Sequence, residues 1–245
     1  MTADDPVRRA QSTLVRELAR AGSLHEARRA DETLAVGLAR LGEWQARRLR
    51  NTYADLAVQP RYMGAIAFFQ HDLYGGADFS RRDADLARVV PAMVRLLPPA
   101  VLETVAHAVE LNALSHELDH ALLPRLPRID GPFTVAEYCS AYRAADDCPR
   151  RLRQIALIGE VGAALDRYVR TPMLGTALTM MRQPAKLAGL AALQDFLERG
   201  FAAFHRMNGA AEFLAIVDAR EKRIHDEIAA GSSAPFPDPW PASRA

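Results

Sequence analysis

Lysine is almost missing from this chain: of 245 residues only Lys186 and Lys222 carry an ammonium group, and arginine supplies the rest of the positive charge. A Schiff-base enzyme therefore has few candidate nucleophiles. Cysteine is as scarce, with Cys139 and Cys148 alone, which excludes a secreted disulfide framework and any cysteine-rich metal cluster. A bridge between the two would need the chain to bend back at Pro149, so both are read as reduced. There is no excess of charge, with 31 basic and 30 acidic residues, hence no overall field that draws in nucleic acid or an anionic membrane. No basic, then apolar, leader opens the chain, and no run approaches the roughly 18 apolar residues of a membrane span. The expectation is a cytoplasmic protein.

Phosphate-binding and nucleophile-elbow patterns are missing too: there is no G-x-x-x-x-G-K-[ST], G-x-G-x-x-G or G-x-S-x-G. Runs of alternating β-branched residues are lacking, and apolar residues recur instead at helical spacing from end to end. Breaks fall at Pro60, Gly75-Gly76, Pro98-Pro99, Pro124 to Pro132, Pro149, Thr171-Pro172, near Pro184, and at Asn208-Gly209. The spacing predicts an all-α bundle of roughly eight or nine helices over residues 7–230. Residues 1–6 are expected to be disordered, as is a proline-rich tail over 231–245 in which Trp240 stands among prolines.

Within the first stretch, Leu14, Leu18, Leu34, Leu38, Leu41, Leu49 and Leu56 keep helical spacing. Gly22-Ser23 is expected to divide it into two helices, with Ser23 as N-cap and Glu26 closing a capping box. These are read as two surface helices, with a homodimer through the N-terminal helices as the other use of such a pair.

The one pattern ordinarily tied to a reaction is His116-Glu117-Leu118-Asp119-His120, an H-E-x-x-H. On a helix its two histidines share a face and can hold zinc while the glutamate polarises a bound water. The helix is predicted over 99–123, with proline in its first turn and Pro124 as its stop. At about 100° per residue, Asn112, His116, Asp119 and His120 fall on one side and Glu103, His107, Glu110 and Glu117 on another. Apolar flanks between these stripes predict a central, buried helix.

Three features argue against a zinc protease. Asp119 places a negative charge beside the histidines, no third histidine follows before Pro124, and no strand is predicted to align a substrate. Glu160, in Ile158-Gly159-Glu160-Val161-Gly162, is the candidate third ligand, and its bland reading is a buried carboxylate paired with arginine. Glu117-x-x-His120 also has the spacing of bundle-type di-iron sites, with Glu110 one step away. That pattern needs a second E-x-x-H helix, which is missing. Glu221 and His225 read first as part of a solvated charged face, Arg220-Glu221-Lys222-Arg223.

The segment Phe68 to Arg88 is dense in unusual residues. A glycine cap after Tyr74 and a new helix capped by Asp78 or Ser80 account for several of them. Asp72, Tyr74, Arg82, Asp83 and Arg88 remain as a candidate polar network pinning the corner, with Asp119 a further candidate member. The run Ala185 to Met207 places Gly189, Leu193, Phe196, Gly200, Phe204 and Met207 on one apolar face, read as core rather than as a ligand groove.

The Phe68–Arg88 segment, together with Thr52-Tyr53-Ala54-Asp55-Leu56, with Ala113-Leu114-Ser115 and Glu117-Leu118-Asp119, and with the stretch Met181 to Phe201, resembles a family of uncharacterised proteobacterial all-α proteins, a domain of unknown function. The likeness runs from roughly Trp44 to Glu221. In that family the Glu-Leu-Asp is kept without both flanking histidines, which implies that His116 and His120 are incidental.

The resulting expectation is a non-catalytic module that binds a protein or a small-molecule ligand, with no cofactor, no nucleic-acid partner and no membrane. Its rival is a zinc- or iron-dependent enzyme using His116, Glu117, His120, Glu110 and Glu160.

Overall fold

The computed structural model describes residues 6–70, 85–86, 88–89, 98–128, 132–171 and 173–240. Among them there is no strand, and ten helices, eight of them of seven or more residues, form an all-α bundle. They are α1 (Pro6–Ala30), α2 (Glu32–Thr52), the short α3 (Ala54–Ala57) and α4 (Met63–Phe68), α5 (Pro99–Leu122), α6 (Val135–Ala144), α7 (Cys148–Tyr168), α8 (Leu174–Leu187), α9 (Ala191–Met207) and α10 (Ala211–Ala229). None is long and apolar enough to cross a membrane.

Helix α5 is central. Proline opens it, and a 3₁₀ turn over Leu123–Arg125 that contains Pro124 ends it, because proline has no N–H to continue the ladder. Leu14 of α1 packs on Ala106 and Val109 of one flank, while Leu157 of α7 packs on Leu114 and Leu118 of the other. Helix α10 approaches α7 closely at Gly162, where an added Cβ would overlap Leu214. Two larger clusters complete the core: one gathers the end of α2, α3, α4, α9 and α10, the other the middle of α2, α6 and the ends of α5 and α10.

Two expected breaks move. Helix α1 runs through Gly22-Ser23 without interruption, and the Ser23 hydroxyl donates back to the Ala19 carbonyl (3.1 Å) instead of capping a new helix. The break comes at Asp31, whose carboxylate accepts from the Leu34 N–H at 3.0 Å and so satisfies one of the open donors of α2. Pro184 lies inside α8, and the chain turns only at Gly189, whose φ of 71° suits a residue without a Cβ.

Residues 231–240, expected as part of a disordered tail, are packed on the body. Phe236 is buried in a T-shaped contact with Trp44 (5.9 Å between centroids), the Arg47 guanidinium lies 4.0 Å over the Trp240 ring, and the Asn51 amide donates to the Asp238 carbonyl at 3.0 Å. Aromatic anchors offset the ordering cost here, and the prolines lower that cost by stiffening the unfolded segment. Residues 1–5 and 241–245 lie outside the described residues.

Candidate functional site

The H-E-x-x-H string is divided among three neighbours. His116 turns towards α1, where its ring meets that of His25 edge-on at 5.2 Å. His120 is half-buried, and burial, with the charge of Arg28, holds its imidazole below the ordinary value. Glu117 accepts from Arg20 Nε and Nη2 of α1 (2.8 and 2.6 Å) and from Arg150 Nη2 of α7 (2.5 Å). The Arg20 hydrogen bonds hold its carboxyl below the usual range against the opposing effect of burial. Arg20 also reaches Glu17, almost fully buried on α1 and paired with Arg16 as well.

The same holds along the helix. Burial acts to raise the Glu110 acid, but hydrogen bonds from Arg153 at 2.9 and 3.0 Å outweigh it and leave the group lowered. Glu160 is exposed rather than buried, bonded to Arg153 at 2.9 Å with His107 3.4 Å away. Among the described residues no group of three or more His, Cys, Asp or Glu side chains is placed to hold a metal ion. The carboxylates of the metal reading are each engaged by guanidinium groups.

Of the candidate corner network, Asp72, Tyr74, Arg82 and Asp83 lie outside the described residues. Arg88 donates to the carbonyls of Ala188 and Gly189 (3.1 and 3.3 Å), closing the end of α8, and stands 3.5 Å from Asp85. Within the Ala185–Met207 run, Phe204 and Met207 are core, and Gly200 admits the Phe68 ring.

Asp119 leaves the histidine stripe altogether. It faces α2, where Gln45 Nε2 donates to it at 2.8 Å. Burial pushes its carboxyl up to about 6, against the Gln45 hydrogen bond and the through-space charge of Arg151.

On this side lies a small polar cavity of about 50 Å³, lined by Arg48, Tyr138, Tyr142, Arg151, Gln154, Glu221 and four apolar side chains that include Phe236. Arg48 Nη1 donates to both oxygens of Glu221 (2.7 and 2.9 Å), and the Tyr53 hydroxyl donates to one of them at 2.8 Å. Tyr142 and His225 Nδ1 share a hydrogen bond of 2.9 Å. Burial pushes both the Tyr138 and the Tyr142 phenols up, opposed by the charges of Arg151 and Arg48. Both hydroxyls therefore keep their protons at neutral pH.

Arg151 is different from the other arginines of this region. Only 7 % of its surface is exposed. Its guanidinium lies 4.7 Å over the Tyr142 ring and makes one long hydrogen bond, 3.4 Å, to the Leu118 carbonyl. Among the described residues it has no ion pair with a carboxylate. A buried cation without a salt-bridge partner is costly unless something else solvates it.

Sequence reasoning passed over Arg48 and Arg151, and misplaced Glu221 and His225 on a solvated face. Their neighbours Lys222 and Arg223 do sit on such a face, in exposed pairs with Asp218 and Glu227. A signal was present in the phase. Arg151 falls in register with Ile155, Ile158 and Gly162, Arg48 with Leu41, Trp44 and Gln45, and Glu221 with Val217, Ile224 and Ile228. A charged residue in an apolar phase is the sequence mark of a buried polar site.

A family model described as "Domain of unknown function" (DUF8198) matches residues 24–235. No curated protein and no solved structure matches the chain.

Proposed function

We propose that this chain, which belongs to the DUF8198 family of domains of unknown function, is a non-catalytic module that binds a small ligand in the cavity around Arg151. The observation that carries the reading is a guanidinium that is buried, lines open space and, among the described residues, has no ion pair with a carboxylate, Asp119 acting on it only through space. Around it stand groups suited to holding rather than transforming a ligand: two phenols that retain their protons, the Gln154 amide and a glutamate already neutralised by Arg48. Few convergent polar groups set in apolar walls are the usual make-up of a small-molecule site. Cys139, buried, and Cys148, exposed, are both free thiols, which supports a reducing compartment and so the cytoplasm.

Native mass spectrometry of the full chain against a panel of small metabolites tests the reading. The expected result is an adduct that disappears in Ile224→Trp, where the indole fills the cavity while the fold is retained by circular dichroism. Adducts indifferent to that substitution, or none across the panel, would sink it.

A further inference from the structure

We infer that the surface built by Trp44 and Arg47 of α2 with Tyr138 and Arg143 of α6 is a docking site for a proline-flanked aromatic segment of a partner protein. Residues 232–240 of the chain itself sit there as a tethered occupant, which such a segment displaces. Small-ligand binding is not required for this, although Phe236 also forms part of the cavity wall.

Two rings four positions apart anchor the tail. Phe236 is buried and meets Trp44 and Tyr138 edge-on, at 5.9 and 6.1 Å between centroids. The Arg47 guanidinium lies 4.0 Å from the centroid of the Trp240 ring. The remaining contacts go to backbone carbonyls: the Asn51 amide donates to that of Asp238 at 3.0 Å, and Arg143 to that of Ser232 at 3.2 Å. The surface therefore offers ring faces and hydrogen-bond donors. Pro235 and Pro239 are buried beside the anchors, and having no N–H they leave no donor unpaired there. Their stiffness also lowers the entropy lost on docking. Aromatic surfaces that take proline-rich segments are a recurrent mode of peptide recognition.

The tail can leave without unravelling a helix. Helix α10 is closed by its own cap, with Gly231 at a φ of 99°, the Gly231 N–H on the Ile228 carbonyl (3.0 Å) and the Ser232 N–H on that of Glu227 (2.9 Å). Beyond it the N–H bonds are local, Ala234 to Ser232 Oγ at 3.3 Å and Trp240 to Asp238 Oδ1 at 2.8 Å. Trp240 itself is half-exposed. A second segment of the same kind takes over the rings and carbonyl bonds while the bundle stays intact. The family match ends at residue 235, so the receiving side chains lie inside the matched domain and the two anchoring rings outside it.

Fluorescence anisotropy of a dye-bearing synthetic peptide of residues 231–240, titrated with the full-length chain, tests this. In Phe236→Ala/Trp240→Ala, where the tail has lost both anchors, saturable binding is expected with a Kd on the order of 0.1 mM. The parent, whose tethered tail competes at an effective concentration on the order of 1 mM, should bind about tenfold more weakly. A peptide with alanine at both ring positions should not bind, and one that keeps only the prolines and the rings, with serine elsewhere, should bind as the original does. Arg47→Met added to the released variant should weaken binding several-fold. Pro237 is exposed, so Pro237→Gly loosens the tail through the unfolded segment without touching the core, and should tighten peptide binding about two- to threefold over the parent. It decides the matter if the double-alanine variant does not fold.

No saturation in either loosened variant, equal affinity of parent and released chain, indifference to loss of the two rings, or failure of the serine peptide overturns the inference. So does a concentration-dependent dimer of the parent, seen by sedimentation, that excess peptide dissolves, because the surface then takes the tail of a second copy instead of a partner's segment.

Discussion

Where the central helix meets α1 and α7, three carboxylates meet arginines: Glu117 with Arg20 and Arg150, Glu110 with Arg153, and Glu160 of α7 with Arg153. On the α2 side, the balance is reversed. Asp119 has an amide for a partner, and Arg151 has a ring face and one distant carbonyl. The outer seam is partly exposed, so its ion pairs are screened and worth little individually. The inner cavity is buried, where a charge without a direct ion pair is expensive, and there Arg151 has only the through-space attraction of Asp119. Glu117 and Asp119 are two residues apart and enter these opposite regions because two steps along a helix turn a side chain by about 200°.

The contrast can be broken most severely at the Arg48–Glu221 pair. Arg48→Met leaves Glu221 buried with the Tyr53 hydroxyl alone, and should destabilise the protein by about 3–5 kcal/mol. Arg153→Met on the outer seam should cost less than about 1 kcal/mol. Urea midpoints for the two variants, at equal slope, check this; similar losses would erase the distinction between the regions.

The next largest effect concerns pH. The Asp119 carboxyl is raised to about 6, above its value in an unfolded chain near 3.9, so the native state holds the proton more tightly. Its contribution to stability is complete below about pH 4 and is lost as pH rises towards 6. Asp119→Asn has no such loss and can still accept from Gln45, so it should gain about 2–3 kcal/mol on the parent between pH 4 and pH 7. Denaturation at both pH values measures the gain, and a constant difference between the two proteins would contradict it.

Phe236→Ala follows, at about 2 kcal/mol for a ring removed from the core. Hydrogen exchange should become fast over 231–240 while α1 and α5 keep their protection; protection retained over the tail would show that Phe236 does not anchor it. Glu117→Gln, on the same outer seam as Arg153, should likewise cost no more than about 1 kcal/mol at neutral pH. Its sign with pH is opposite to that of Asp119. The Glu117 carboxyl is lowered, so what it contributes is present above pH 4.5 and fades as pH falls through its native value. The parent and Glu117→Gln curves should therefore meet in acid, where those for Asp119 separate least.

The central position of α5, its start at Pro99 and its end before Pro124 were legible, since proline placement and a doubly apolar helix are local facts. The boundary at Asp31 was less so, because Gly22-Ser23 carries the stronger local turn signal and only packing of α1 along α5 keeps that stretch helical. The tail was misjudged for a related reason: its composition is that of a disordered segment, while its order comes from Trp44, Tyr138 and Arg47, far away in the chain. The candidate metal residues were found as a pattern on one helix. What they do was not visible there, because Arg20, Arg150 and Arg153 stand on other helices.

By itself, the sequence determined a helical chain with a buried central helix and arginine-rich outer faces. Periodicity and proline breaks act over a few residues, so they are readable without a fold. Only the tertiary structure decided which charges are buried together. Arg48 and Glu221 are 173 positions apart, and Tyr142 and His225 are 83 apart. Whether such groups meet depends on the rotation of each helix about its axis, and that is set by how the apolar faces interlock around them.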